Sequence, residues 1–240
     1  MKKLIPILLF VNLILAQNNH HEIWSKFLVD KSFSKKIKGE FEYQLRFQDN
    51  TSSDNTINYP LLSSVRVWGN YSFKNHFSIL FSPFAYFQSS TLIASDTDKE
   101  KKKVYENRYA FMIEYRKELF KKISFSNRYG FEFRDFKNIP IDYFRMREKG
   151  LFKYDLSSRI AITASDEIFF NLTQKQNIKF FDQNRISLLL NYSPIEDVKF
   201  EFGSLFCSKN QKIVDENIHE VAFLLNTCII LDKKREKHGN

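Results

Sequence analysis

Apolar and charged side chains alternate with a period of two over long stretches of this sequence, and that alternation limits the fold more than any other feature. Tyr105, Asn107, Tyr109, Phe111, Ile113 and Tyr115 fall on one side of an extended chain. Glu106, Arg108, Ala110, Met112, Glu114 and Arg116 fall on the other. Successive side chains of a strand point to opposite faces, so this segment presents an aromatic face and a charged face. A soluble sheet alternates as well, and strand length separates the two cases. Strands of globular proteins run about 5–6 residues, whereas a strand that crosses a bilayer needs about 9–11.

The pattern recurs along the chain. Residues 37–48 set Phe41, Tyr43, Leu45 and Phe47 against Glu40, Glu42, Gln44 and Arg46. Residues 60–73 set Val65, Val67, Tyr71 and Phe73 against Ser64, Arg66, Asn70 and Ser72. Segments 122–135 and 181–192 behave alike, and weaker alternation marks 23–33, 76–88, 142–155, 159–170, 198–208 and 217–231. Short turns, four of them basic, fall at Ser34–Lys36, Lys74–His76, Phe120–Lys122, Ser157–Arg159 and Pro194–Asp197. Longer polar connections fall at Asp49–Asn58, Ser89–Lys103, Lys137–Ile141, Asn171–Lys179 and Lys209–Glu216. Short turns at one end and long loops at the other are the plan of a transmembrane barrel. A soluble β-sandwich and a lipocalin-like barrel are the alternatives, and aromatics on nearly every outward face weigh against both. The expected fold is therefore all-β, an antiparallel up-and-down transmembrane β-barrel of about 10–12 strands. The segments number eleven, while single-chain bacterial barrels have an even number, so the expectation is that one segment is split, merged or not a full wall strand. Counting back from a periplasmic C-terminus leaves the N-terminus on the outer side.

Composition agrees. With 43% hydrophobic and 16% aromatic residues the chain is not intrinsically disordered. A mean hydropathy of -0.40 leaves no room for several runs of about 20 apolar residues, which a helical membrane protein requires. At the N-terminus Lys2 and Lys3 precede the apolar run Leu4–Leu15 and the small residue Ala16, the layout of a secretory signal peptide. The expected organisation is a signal peptide over 1–16, a single barrel domain over 17–231 and a basic tail over 232–240. Removing 1–16 takes away two lysines and lowers the net charge from +9 to +7. Cys207 and Cys228 are the two cysteines, at non-opposed positions of neighbouring segments, and no disulfide is expected between them.

The charged faces would line the lumen, and the candidate network is Glu42, Arg46, Arg66, Glu106, Arg108, Arg128, Glu132, Arg134, Glu167 and Arg185. A hairpin centred on Phe120 sets Glu106 opposite Arg134 and Arg108 opposite Glu132. A hairpin centred on Gln176 sets Glu167 opposite Arg185, and puts Asp166 and Asn184 on the outer side near the rim. Opposite charges facing one another across strands contribute roughly 0.2–1 kcal/mol. Such pairs serve first to neutralise a polar lumen, ahead of a selectivity filter or a catalytic role.

Glu42-Tyr43-Gln44-Leu45-Arg46-Phe47, Tyr105-Glu106-Asn107-Arg108-Tyr109, Asn127-Arg128-Tyr129, Asp166-Glu167-Ile168-Phe169-Phe170-Asn171 and Phe181-Asp182-Gln183-Asn184-Arg185 follow in order. In that order and spacing the chain resembles the family catalogued as domain of unknown function 2490, over roughly residues 22–231. The resemblance implies export by a Gram-negative bacterium and an outer-membrane β-barrel, and it brings no activity, substrate or catalytic residue. The chain departs from the usual barrel ending, because Ile229-Ile230-Leu231 is followed by the basic tail instead of a terminal aromatic.

Other chemistry is sparse. There is no Gly-rich phosphate loop, nucleotide fingerprint or paired-Cys metal spacing, so no cofactor and no metal is expected. His20 and His21 read as a solvated pair ahead of a weak metal site. Ser204 or Ser208 with His219 is the one conceivable Ser–His arrangement for a lipid-modifying barrel enzyme. Lys99-Glu100-Lys101-Lys102-Lys103 lies in the longest outer loop. Its expected partners are outer-membrane lipid and anionic lipopolysaccharide head groups, not nucleic acid. The barrel-assembly machinery is the other expected partner, and the solute is undefined. The leading expectation is a non-enzymatic small pore or structural envelope component. A lipid-modifying barrel enzyme and a soluble periplasmic β-protein are the rivals.

Overall fold

A computed structural model describes residues 20–49, 57, 59–93, 95–137, 142–173, 179–210 and 217–232. The signal-peptide segment 1–16 and residues 233–240 of the basic tail lie outside the described residues. Eleven strands are described: β1 (His20–Ser32), β2 (Ile37–Gln48), β3 (Tyr59–Lys74), β4 (Phe77–Ser89), β5 (Val104–Phe120), β6 (Ile123–Phe136), β7 (Tyr143–Asp155), β8 (Ile160–Asn171), β9 (Phe181–Ile195), β10 (Val198–Asn210) and β11 (Asn217–Ile230). A single 3₁₀ turn, Asp96–Glu100, sits in the long connection before β5.

Each strand pairs with its sequence neighbours, and β1 pairs with β11 to close the barrel. Closure corrects the expected even count. Strands of an up-and-down meander alternate in direction, so the first and eleventh run the same way and can meet only in parallel. They do, from His20 opposite Glu220 to Asp30 opposite Ile230. A parallel ladder uses evenly spaced, slanted hydrogen bonds and is slightly weaker per residue than an antiparallel one. The seam is fastened at the short-turn end by local contacts. Lys31 Nζ donates to the Leu231 carbonyl at 2.7 Å. Ser32 donates to both carboxylate oxygens of Asp232, through its N–H at 2.9 Å and its hydroxyl at 3.1 Å. These bonds hold the Asp232 carboxyl below its ordinary range. The odd count also separates the ends of the sheet: β1 begins among the long connections and β11 ends among the short turns.

Alternation sorts the side chains as the sequence demanded. On β6, Phe131 is 52% exposed and its neighbour Glu132 is 0% exposed. Outward faces carry Phe41, Tyr43, Phe81, Phe111, Tyr129, Phe144, Ile186 and Phe223, all exposed. The interior carries Trp24, Trp68, Met112, Phe169 and Leu224 together with buried Glu, Arg, Gln and Ser. Prolines mark two ladder irregularities, since they lack the N–H a ladder needs. Phe47 opposite Pro60 follows the β2–β3 shift, and Pro83 lies within the β4–β5 shift between Ser82 and Tyr86.

Register held in one hairpin and moved in another. Glu167 faces Arg185 across β8 and β9. Asp166 accepts a hydrogen bond from Asn184 Nδ2 at 2.5 Å on the outer side. Across β5 and β6 the pairing is displaced by two residues from the expected one. Glu106 faces Phe136, Arg108 faces Arg134 and Glu114 faces Arg128. The turn falls on Lys121 and Lys122, beyond Phe120, and the ladder shifts between Glu118 and Phe120. An even displacement moves partners but leaves every side chain on its own face.

Candidate functional site: an arginine-lined lumen

All ten charged residues singled out in the sequence sit at inward register positions, but their partners differ from the expected ones. Glu106 takes two guanidinium forks. Arg108 donates through Nε at 2.5 Å and Nη2 at 3.0 Å, and Arg134 through Nε at 2.6 Å and Nη2 at 2.9 Å. Arg108 therefore does not pair with Glu132. The Glu132 carboxylate instead gathers Arg145 at 2.6 Å, Arg147 at 3.1 Å and Arg66 at 3.4 Å. Arg128 pairs with Glu114 at 2.5 Å and Glu42 with Lys26 at 3.4 Å. Glu167 bonds Arg147 and lies 3.9 Å from Arg185. Guanidinium forks on carboxylates are the stronger, charge-assisted kind of hydrogen bond.

Aromatic rings floor the same space. The Arg46 guanidinium carbon lies 3.5 Å from the centre of the Trp24 ring, and that of Arg185 lies 5.2 Å from it. Arg108 covers Phe87 at 3.8 Å, while Arg185 also covers Phe169 at 4.8 Å. Cations over aromatic faces are stabilised by the ring quadrupole, most strongly by Trp. Trp24 is fixed in turn by an Nε1–H bond to Glu22.

Two adjoining cavities lie in the lumen among the described residues. One of about 380 Å³ lies at mid-barrel, bounded by Trp24, Arg46, Arg66, Phe87, Glu132 and Arg185 among others. Its lining holds nine Lys and Arg side chains against five carboxylates. A second, of about 490 Å³, lies toward the short turns and is bounded by Arg116, Lys153, Arg159 and Lys199. Arg128, Lys149, Ser165, Leu189 and Glu201 border both, so the cavities adjoin. Lys149 has no ion-pair partner within 4 Å among the described residues.

Arg145, Arg147, Glu114, Asp182 and Lys26 are the lumen partners that the sequence reading missed. Arg145 bridges Glu132 and Asp182, and Arg147 bridges Glu132 and Glu167. A signal was present: Tyr143, Arg145, Arg147 and Lys149 alternate with Phe144, Met146 and Glu148. The Ser–His arrangement lies on the outer wall. Ser208 faces His219 across β10 and β11 and faces Asn184 across β9 and β10. The His219 ring stacks on Phe206, centres 5.5 Å apart, and among the described residues no hydrogen bond joins it to Ser208. Serine lies between asparagine and histidine, whereas a relay needs histidine in the middle. Cys207 and Cys228 are free thiols. His20 and His21 both turn to Asp49, with Nδ1 atoms 3.7 Å and 3.1 Å from its carboxylate. Among the described residues no group of three or more His, Cys, Asp or Glu side chains is arranged to hold a metal ion.

A closed sheet with an aromatic exterior and a charged interior defines an up-and-down β-barrel of the transmembrane kind. The chain belongs to the family described as a protein of unknown function (DUF2490), whose model matches residues 21–217. The NanC porin, solved in a rhombohedral crystal form, shares the fold. It matches at 12% identity and a TM-score of 0.50, over 87% of this chain and 98% of that one. A KdgM porin solved in complex with disordered oligogalacturonate matches at 14% identity and a TM-score of 0.44, over 78% of this chain and 87% of its own. No curated protein matches the chain.

Proposed function

We propose that the mature chain is exported by way of the signal peptide at 1–16. It then forms a narrow, non-enzymatic pore in the outer membrane of a Gram-negative bacterium that favours small anionic solutes. One observation carries the reading: the central cavity of a closed barrel is lined by nine cationic side chains and five carboxylates. Within low-dielectric walls an excess of one sign focuses the field and concentrates ions of the other. The membrane part rests on the exterior. Exposed Phe, Tyr, Leu and Ile on ten of the eleven strands make an apolar belt far larger than a soluble monomer carries. Closure satisfies every ladder group without water. The assembly machinery that inserts such barrels, and lipopolysaccharide around the outer loops, are the partners this placement implies. The outer-wall Ser208 and His219 do not favour a lipid hydrolase, because the imidazole is committed to Phe206.

The test is current through the purified, refolded mature protein in a planar bilayer with a salt gradient. Discrete steps with a reversal potential displaced toward the anion support the pore. Cation preference, or silence from protein shown by protease protection to be inserted, overturns it.

A further inference from the structure

Lumen arginines are not equally satisfied. Arg108, Arg134, Arg128 and Arg145 each bond a carboxylate at 3.0 Å or closer. On the wall around the seam the account does not close. Arg46 has no carboxylate within 4 Å among the described residues, and its one polar contact is Gln44 Oε1 at 3.5 Å from Nη2. The nearby Glu22 accepts the Trp24 Nε1–H bond through Oε2 and leaves Oε1 buried without a donor, yet neither oxygen comes within 4 Å of an Arg46 nitrogen. Arg185 reaches Glu167 only at 3.9 Å. The Nε atoms of Arg46, Arg66, Arg147 and Arg185 are all buried without a hydrogen-bond acceptor, but Arg66 and Arg147 each reach Glu132 through an Nη atom, at 3.4 Å and 3.1 Å. The guanidinium groups of Arg46 and Arg185 lie against the same ring, Trp24, at 3.5 Å and 5.2 Å, and both border the central cavity.

Two like charges beside one indole, with donors left over, are an arrangement an arriving oxyanion would complete. A buried donor without an acceptor is destabilising, and a planar carboxylate or a phosphate accepts from guanidinium forks. We propose that Arg46 and Arg185, over Trp24, form a saturable binding site for the carboxylate or phosphate group of a small organic acid inside the lumen. The inference rests on the pore reading for its biological sense, yet its test needs no conduction. An anion held here is bound from one wall, beside the Trp24 face. It leaves the ion pairs centred on Glu132 intact.

The sequence supplies its own reporter, because Trp24 and Trp68 are the two tryptophans and both border this cavity beneath arginines. Tryptophan emission of the full mature protein in detergent micelles is titrated with malonate, and separately with inorganic phosphate, at ionic strength held constant with potassium chloride. The expected result is a saturating change with at least one oxyanion, weakened about tenfold or more in Arg46→Gln and in Arg185→Gln. The same change is expected to be largely lost in Trp24→Phe and kept in Trp68→Phe. Which of the two anions saturates at lower concentration assigns carboxylate or phosphate. A linear response, an equal response to chloride, or undiminished affinity in Arg46→Gln overturns the proposal. Heat-modifiable migration in each variant certifies a folded barrel, and Arg46→Lys supplies a second folded variant that keeps charge and loses the fork. Saturable binding without conductance would leave the site standing and remove the pore; conductance without saturable binding would do the reverse.

Discussion

Arg66 on β3 and Glu132 on β6 meet at 3.4 Å although β4 and β5 stand between them in the wall. The other side chains on Glu132 come from β7, its immediate neighbour. With strands about 4.8 Å apart and tilted, an eleven-stranded barrel is on the order of 20 Å across between backbones. A contact across three strand spacings must therefore cut a chord through the lumen. Arg185 on β9 reaching over Trp24 on β1 cuts a second. Together they narrow mid-barrel from two sides.

Removing the charge of Glu132 should open that chord. Glu132→Gln leaves Arg66, Arg145 and Arg147 without their shared carboxylate. Conductance and anion preference should both rise, and stability should fall by about 1–3 kcal/mol because buried guanidinium groups lose charged acceptors. Single-channel current and the temperature of heat-modified migration measure the two effects. Unchanged selectivity would mean that the chord does not lie in the conducting path.

Much of this architecture was legible in the residues, and what was not has physical causes. All eleven segments read from alternation are strands, because a period of two persisting for ten or more residues has no other regular solution. The ten charged residues placed inward from the sequence do lie at inward register positions. Their partners were not legible. Glu106, expected opposite Arg134, bonds it diagonally, and Arg108, expected opposite Glu132, turns to Glu106. Arginine side chains are long enough to choose among several carboxylates, and one misplaced turn at Phe120 moved the whole β5–β6 ladder by two. The Arg66–Glu132 chord depends on curvature around the barrel, which no local pattern encodes. The odd strand count was visible in the segments, but its consequence, a parallel seam, follows only from closure.

That seam can be tested with a thiol already in place. Leu28 on β1 is the direct partner of Cys228 on β11 in the parallel register. Leu28→Cys, with Cys207→Ser to remove the other thiol, should form a disulfide under mild oxidation, since directly paired strand positions bring Cα atoms within the range a disulfide spans. The bond shows as changed migration on non-reducing gels, reversed by reductant. A free-thiol count that stays at two would refute the pairing of β1 with β11.

A charge swap checks the displaced hairpin. Glu114 and Arg128 are direct partners, with Arg128 Nε 3.0 Å from Glu114 Oε2. Glu114→Arg alone places like charges opposite and should destabilise. Adding Arg128→Glu should restore roughly 0.2–1 kcal/mol by a double-mutant cycle in urea. Under a Phe120-centred register Glu114 would face Ser126, and the second substitution would bring no recovery.

Among the described glycines, Gly203 on β10 lies closest to a neighbouring main chain. A Cβ there would lie 2.9 Å from the Leu189 Cα and 3.0 Å from the Leu188 carbonyl carbon, and would also collide with the Leu188 carbonyl oxygen. These are main-chain atoms of β9, so no rotamer change relieves the contact. Gly203 faces Leu189 in the ladder, and β10 could accept a side chain only by moving away from β9. Gly203→Ala should therefore cost about 1–3 kcal/mol and slow refolding into the heat-modifiable form. Gly150 on β7 provides the contrast, because a Cβ there meets nothing within 4 Å. Gly150→Ala should be neutral or slightly stabilising, since it removes backbone freedom from the unfolded chain. Equal refolding yields for the two variants, followed by the fraction migrating as folded barrel against urea, would show that the β9–β10 approach is looser than this geometry.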